Sequence, residues 1–178
     1  AYECVTDLDA LDRWIAEARA AHVVAVDTET ASLDSVTGRL VGVSLATAPG
    51  KACYIPLGHG GTDMFAEKPE QIAIDVALAR LGDLFADDAV LKVGHNLKYD
   101  IGVLAQHGIA IAPYDDTLVM SFALDAGKHQ HGLDELAKLH LDHACLSFKD
   151  VCGTGKSQIS FAEVQLDRAT EYAAEDAD

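Results

Sequence analysis

The chain has 178 residues, with 29 acidic against 13 basic side chains and a formal net charge of −16. That length fits one domain or two very small ones and buries enough surface for a core without disulfide staples. Apolar residues make up 49% and charged residues 24%, a globular composition that excludes disordered and collagen-like chains. No apolar run approaches the ~18 residues of a bilayer span, and the start lacks a signal-peptide pattern, so no membrane partner is expected. The first residue is Ala1 rather than an initiator methionine, as expected of a piece cut from a longer polypeptide. The charge excludes a protein that coats duplex nucleic acid, because such binding needs Lys and Arg to displace counterions. It leaves room for a site that grips a few phosphates through metal ions. Four cysteines (Cys4, Cys53, Cys145, Cys152) form no C-x-x-C pair and read as idle thiols in a reducing cytosol.

Strands alternate with helices along the chain. Residues 7–20 place Leu8, Leu11, Trp14, Ile15 and Ala18 at helical spacing, with Thr6 as the expected N-cap. The β-branched run 22–26 predicts a central strand covered on both faces. Two strands, 39–47 and 51–56, flank Ala48-Pro49-Gly50 and predict an antiparallel hairpin. After a loop with Gly58, Gly60 and Gly61, a helix is expected over 69–85, a strand over 90–94 and a helix over 96–108. Further helices are expected over 116–126, 133–141 and from Phe161 to the end. With no repeat and no linker, the pattern describes one domain, a mixed sheet with helices packed on its faces.

Three acidic features stand out. Asp27-Thr28-Glu29-Thr30 lies where the first long strand ends, and residues i and i+2 of a strand project from one face, so Asp27 and Glu29 are neighbours. Asp100 falls in the first turns of the helix that Asn96 is expected to cap. On the last helix, Tyr172 and Asp176 share a face, separated by small alanines that allow close approach.

Taken in that order, these features resemble the active site of the DEDD exonucleases in their tyrosine-bearing form. That resemblance implies a ribonuclease H-like α/β fold, a mixed sheet with helices on both faces. The surrounding text (DTET followed by SLD, LVGVSLA, YIPLGH, KVGHNLKYD and EYAAEDAD) is similar to the 3′→5′ proofreading domain of bacterial DNA polymerase I, the family A, Klenow-type enzymes. The similarity covers essentially the whole chain, so residues 1–178 are expected to form a single exonuclease domain. It would be excised from a polymerase chain and truncated in its last helix.

The resemblance implies hydrolysis of the last phosphodiester of a single-stranded DNA 3′ end with release of nucleoside 5′-monophosphates. It implies two divalent cations, Mg²⁺ with Mn²⁺ or Zn²⁺ able to substitute, and oxygen-only ligands suit such hard ions. Asp27 would bridge both, Glu29 and Asp176 would complete the tighter site, and Asp100 would hold the second ion. Tyr172 would position the attacking water, helped by Glu29. Leu33 and Phe148 would pack against the terminal bases, while Thr28 (through its backbone), Asn96, Tyr99 and His131 would contact the nucleotide chain. The implied partner besides DNA is the polymerase domain of the same chain, and the implied setting is a cytoplasmic, nucleoid-associated monomer.

Two positions depart from the family pattern. His95 replaces the glutamine expected before Asn96, and Gln130-His131 stands where an Arg-His pair is usual, with Lys128 or His129 as candidate replacements. Gly153-Thr154-Gly155-Lys156-Ser157 resembles a P-loop, but the required first glycine would fall on Asp150, so triphosphate binding is not expected. His129-x-His131 and His140-x-x-His143 are too loosely spaced to read as a zinc site. The competing readings are an exoribonuclease of the RNase D type and a catalytically silent scaffold domain of a polymerase.

Overall fold

The computed structural model describes residues 2–32, 34–60 and 69–178. Chain order is β1 (Glu3–Cys4), α1 (Leu8–Ala21), β2 (Val23–Thr30), β3 (Leu40–Ala48), β4 (Lys51–Pro56), α2 (Ile74–Phe85) and β5 (Leu91–Gly94). Then come α3 (Lys98–Ala105), β6 (Tyr114–Asp116), α4 (Thr117–Asp125), α5 (Leu133–Leu141), α6 (Phe148–Cys152) and α7 (Leu166–Ala177). Two short 3₁₀ turns, Gly155–Ser157 and Phe161–Glu163, lie between the last two helices.

The strands form one six-stranded sheet in the order β1-β4-β3-β2-β5-β6. β2, β3 and β4 pair antiparallel, including the expected hairpin, whereas β5 runs parallel to β2, β6 to β5, and β1 to β4. Alternation along β2 sends Val24 and Val26 to one face and Ala25 to the other. On the first face they join Leu11, Trp14 and Ile15 of α1, Leu78 and Leu81 of α2, and Val103 and Leu104 of α3. On the second face α7 lies against β3 and β4 through Ala169, Ala173, Ala174 and Ala177, whose small side chains let the helix backbone approach the sheet closely. Gly42 of β3 leaves room for the ring of fully buried Tyr54 on neighbouring β4, because a Cβ there would lie 2.2 Å from the tyrosine hydroxyl.

Several boundaries differ from the sequence expectation, each for an identifiable reason. Asp7, not Thr6, caps α1, its carboxylate accepting from Ala10 N at 2.8 Å. α2 begins at Ile74 rather than near 69, because Gln71 bonds both the amide (3.0 Å) and the carbonyl (2.9 Å) of His59 and Ala73 keeps an extended ψ of 128°. The last helix begins at Leu166, since Ser160 and Glu163 form a reciprocal capping box that closes a separate 3₁₀ turn and Val164-Gln165 is extended. Asn96 does not cap α3, for it sits in the left-handed region with φ 62° and an exposed side chain. The carboxylate of Asp116 takes over instead, accepting from Asn96 N (3.0 Å) and Leu97 N (2.9 Å) while also capping α4 through Leu118 N (2.9 Å).

Lys92 of β5 is fully buried, and its ammonium donates to the carbonyls of Asp87 (2.9 Å), Val90 (2.7 Å) and Ala112 (2.5 Å). This ties the entry to β5 to the entry to β6. No helix among the described residues is long and apolar enough to cross a membrane.

Candidate active site

Asp27 and Glu29 continue the Ala25 register of β2 and therefore face α7. From α7, Asp176 meets them, and one carboxylate oxygen from each of the three residues lies within 4.8 Å of the others. Glu29 is 8% exposed, so this convergence sits at the margin of the core. Asp100 reaches the same end of β2 from the other face. It is 3% exposed, and its Oδ1 accepts from both Thr28 N (2.9 Å) and Thr28 Oγ1 (2.6 Å). Thr28 thus commits its amide and its hydroxyl to orienting Asp100.

Crowding and burial set the protonation of the group. Burial, then the charges of Glu29, Asp100 and Asp176, hold Asp27 well above the usual carboxylate range. Glu29 is raised in the same way by burial and then by Asp176 and Asp100. Burial lifts Asp176 to about 7, against the lowering effect of a hydrogen bond from Tyr172, and lifts Asp100 to about 6, against the Thr28 bonds. Among the described residues no Lys, Arg or His forms an ion pair with any of the four. Oxygen donors that repel one another, with no counter-charge paired to them among the described residues, fit divalent cations, which lower carboxylate pKa values by direct attraction.

Tyr172 stands one helical turn before Asp176. Burial, then the charges of Asp176 and Glu29, push its phenol far above its ordinary value, so the hydroxyl stays protonated and acts as a donor. Its ring packs against Phe161 (centroids 5.8 Å apart) and Phe148 (6.3 Å), and Phe148 is 40% exposed beside it.

The remaining sequence candidates are spread around this centre. The hydroxyls of Tyr99 and Thr30 both donate to the carbonyl of Ser32 and lie 2.5 Å apart, pinning the chain that leaves the acid pair. His131 Nδ1 lies 2.8 Å from Ser121 Oγ, and its Nε2 is buried without a partner among the described residues. His95 Nδ1 lies 2.9 Å from Thr117 Oγ1. Lys128 is paired with Asp125, and Gln130 is exposed. Leu33 lies outside the described residues. Within Gly153–Ser157, Gly153 ends α6 and Gly155–Ser157 is a 3₁₀ turn with Thr154 and Gly155 exposed, not a strand-to-helix phosphate loop. Asp116 was legible only as a helix start. That it would also hold the chain entering α3 depends on the Gly94–Asp116 register of two parallel strands, which local sequence does not encode.

A mixed sheet whose central strand ends in an acid pair facing a Tyr-x-x-x-Asp helix defines an α/β protein of the ribonuclease H-like fold, in its exonuclease branch. Escherichia coli RNase D shares this fold, with TM-score 0.66 and 19% identity over 99% of this chain and 41% of that one. So does Brucella melitensis NrnC with bound Mg²⁺, with TM-score 0.62 and 24% identity over 99% of this chain and 72% of that one. The chain belongs to the DNA polymerase A type of 3′-5′ exonuclease family, whose model matches residues 2–178. DNA polymerase I of Rhizobium leguminosarum is 47% identical over the whole of this chain, which spans 19% of that protein's length.

Proposed function

We propose that residues 1–178 form a metal-dependent 3′→5′ exodeoxyribonuclease domain of a DNA polymerase I-type protein, removing nucleoside 5′-monophosphates from single-stranded DNA 3′ ends. The observation that carries this reading is the convergence of Asp27, Glu29 and Asp176 beside Tyr172, without an ion-pair partner among the described residues. Asp27, Glu29 and Asp176 would hold one divalent cation and Asp27 with Asp100 a second, with Mg²⁺ favoured by the all-oxygen donor set. The Mg²⁺ bound to Brucella NrnC, a protein of the same fold, agrees with that choice. When bound, two such ions supply Lewis-acid stabilisation of the attacking and leaving oxygens.

The chain's own residues do the rest. The Tyr172 hydroxyl, a donor across the physiological range, orients the attacking water toward the scissile phosphate, and the Glu29 carboxylate accepts the water's other hydrogen bond. Thr28 holds Asp100 in place through Oδ1, which leaves its second oxygen as the one available to an ion. Phe148, exposed beside Tyr172, offers a face for the terminal base, an interaction worth ~1–3 kcal/mol per base. Asn96 and His131 would contact the nucleotide chain. The polymerase I relatives favour DNA over RNA as substrate and a polymerase segment as the partner.

The test is digestion of a 5′-labelled single-stranded DNA oligonucleotide with Mg²⁺ or Mn²⁺, beside a matched RNA and an Asp27→Ala variant. A ladder shortening from the 3′ end on DNA, absent in EDTA and in the variant, is expected. Preference for RNA would move the protein to an RNase D-type reading, and folded protein that cleaves neither would make it a scaffold.

A further inference from the structure

One group of side chains outside the carboxylate cluster has metal-ligating chemistry and shared geometry. The stretch after α5 crosses α7, and there His143 Nε2 lies 2.9 Å from Glu175 Oε1 while the Leu146 amide donates to Glu175 Oε2 at 2.6 Å. Cys145, half-buried, completes the group, and one donor atom from each of His143, Cys145 and Glu175 lies within 4.8 Å of the others. All three line a cavity of about 660 Å³ that also touches Tyr2, His140 and, one residue along α7, Asp176 of the carboxylate cluster. Exposed His143 gives the cavity a solvent-facing side.

We propose that His143, Cys145 and Glu175 form a second metal site, separate from the carboxylate cluster, that takes a borderline divalent cation such as Zn²⁺. The donor set decides the ion. A nitrogen, a sulfur and one oxygen suit Zn²⁺, whereas Mg²⁺ keeps to oxygen and does not compete for a thiolate. Zinc–ligand bonds of ~2.0–2.3 Å place tetrahedral donors ~3.3–3.8 Å apart, so side-chain adjustments of about an ångström close the group around an ion. Water from the cavity fills the fourth position.

The charge and proton balance is simple. His143 binds as neutral imidazole and Glu175 as carboxylate, and the Cys145 thiol gives one proton to solvent as its sulfur bonds the ion. Nothing is oxidised or reduced. Burial raises that thiol to about 11, so the ion itself must drive the proton off. Glu175 spends its two oxygens on His143 and the Leu146 amide, whereas its neighbour Asp176 turns to Asp27 and Glu29. An ion here ties the segment between α5 and α6 to α7 one residue before Asp176, a cross-link between loop and catalytic helix.

Cobalt titration separates this site from the carboxylate cluster, because only a thiolate ligand produces an intense near-ultraviolet charge-transfer band. Stoichiometric Co²⁺ added to the reduced protein at pH 8 should produce that band in the parent and in Asp27→Asn. Zn²⁺ should bleach it, and Cys145→Ser should lack it. His143→Ala should weaken Zn²⁺ binding at least tenfold while Mg²⁺-dependent DNA cleavage persists. As a check needing no variant, one equivalent of Zn²⁺ should slow alkylation of Cys145 by iodoacetamide at least tenfold, followed by peptide mass spectrometry. Absence of the band in the parent, its survival in Cys145→Ser, or an unchanged alkylation rate would each overturn the proposal.

Discussion

The carboxylate cluster that suits the protein for metal chemistry should destabilise the metal-free fold, and Asp176→Asn measures by how much. The gap between the ordinary carboxylate value of 3.8 and about 7 for Asp176 corresponds to about 4 kcal/mol of ionisation penalty in the folded state. A carboxylate that keeps some water contact feels less, so about 2 kcal/mol is the working figure. Between pH 3.8 and about 7 the folded chain holds the proton and the unfolded chain does not, so stability from this group falls as pH rises through that window and is flat above it. Asparagine carries no charge and still accepts from Tyr172. In EDTA at pH 8 the variant should therefore melt about 4–8 °C above the parent, at 2–4 °C per kcal/mol for a chain of this size. The advantage should shrink toward nothing near pH 4. Mg²⁺ should stabilise the parent, do little for the variant, and support cleavage only by the parent. Calorimetry in EDTA across pH 4–8 checks this. A variant no more stable than the parent at pH 8, or equally advantaged at pH 4, would refute the electrostatic account.

Three further outcomes follow from individual contacts. Tyr172→Phe keeps the ring packing and loses the donor hydroxyl; kcat should fall roughly 10²-fold with KM nearly unchanged, read by single-turnover cleavage of labelled DNA. Thr28→Val preserves shape but removes the 2.6 Å bond to Asp100, and urea denaturation should show a loss of about 1.5–3 kcal/mol, the range for hydrogen bonds to charged groups. Lys92→Met strips the carbonyls of Asp87, Val90 and Ala112 of a buried donor, and the same titration should show a loss of about 3–5 kcal/mol.

Features set by local periodicity were legible in the sequence. The pairing of Asp27 with Glu29 follows from the two-residue repeat of a strand, and that of Tyr172 with Asp176 from the helical repeat. The hairpin across Pro49-Gly50 was readable for the same reason. Features that depend on a distant partner were not. β1 and β6 have two and three residues and exist because β4 and β5 offer them free edges. The five residues before α2 read as helical, but Gln71 spends its amide on His59 and holds them extended. Asn96 has the composition of a cap yet occupies a left-handed corner, a conformation asparagine tolerates better than most residues. Cys145 read as an idle thiol because Glu175 is brought to it and to nearby His143 by the crossing of the loop over α7, not by spacing.

The double duty of Asp116 has a mechanical consequence. One anion closes the exits of two adjacent parallel strands, so the helix that carries Asp100 and the helix that follows β6 start from a common fastening. Neither can fray without loosening the other. Opening at this corner is therefore a joint event, and the position of Asp100 depends on the stability of a second helix as well as its own.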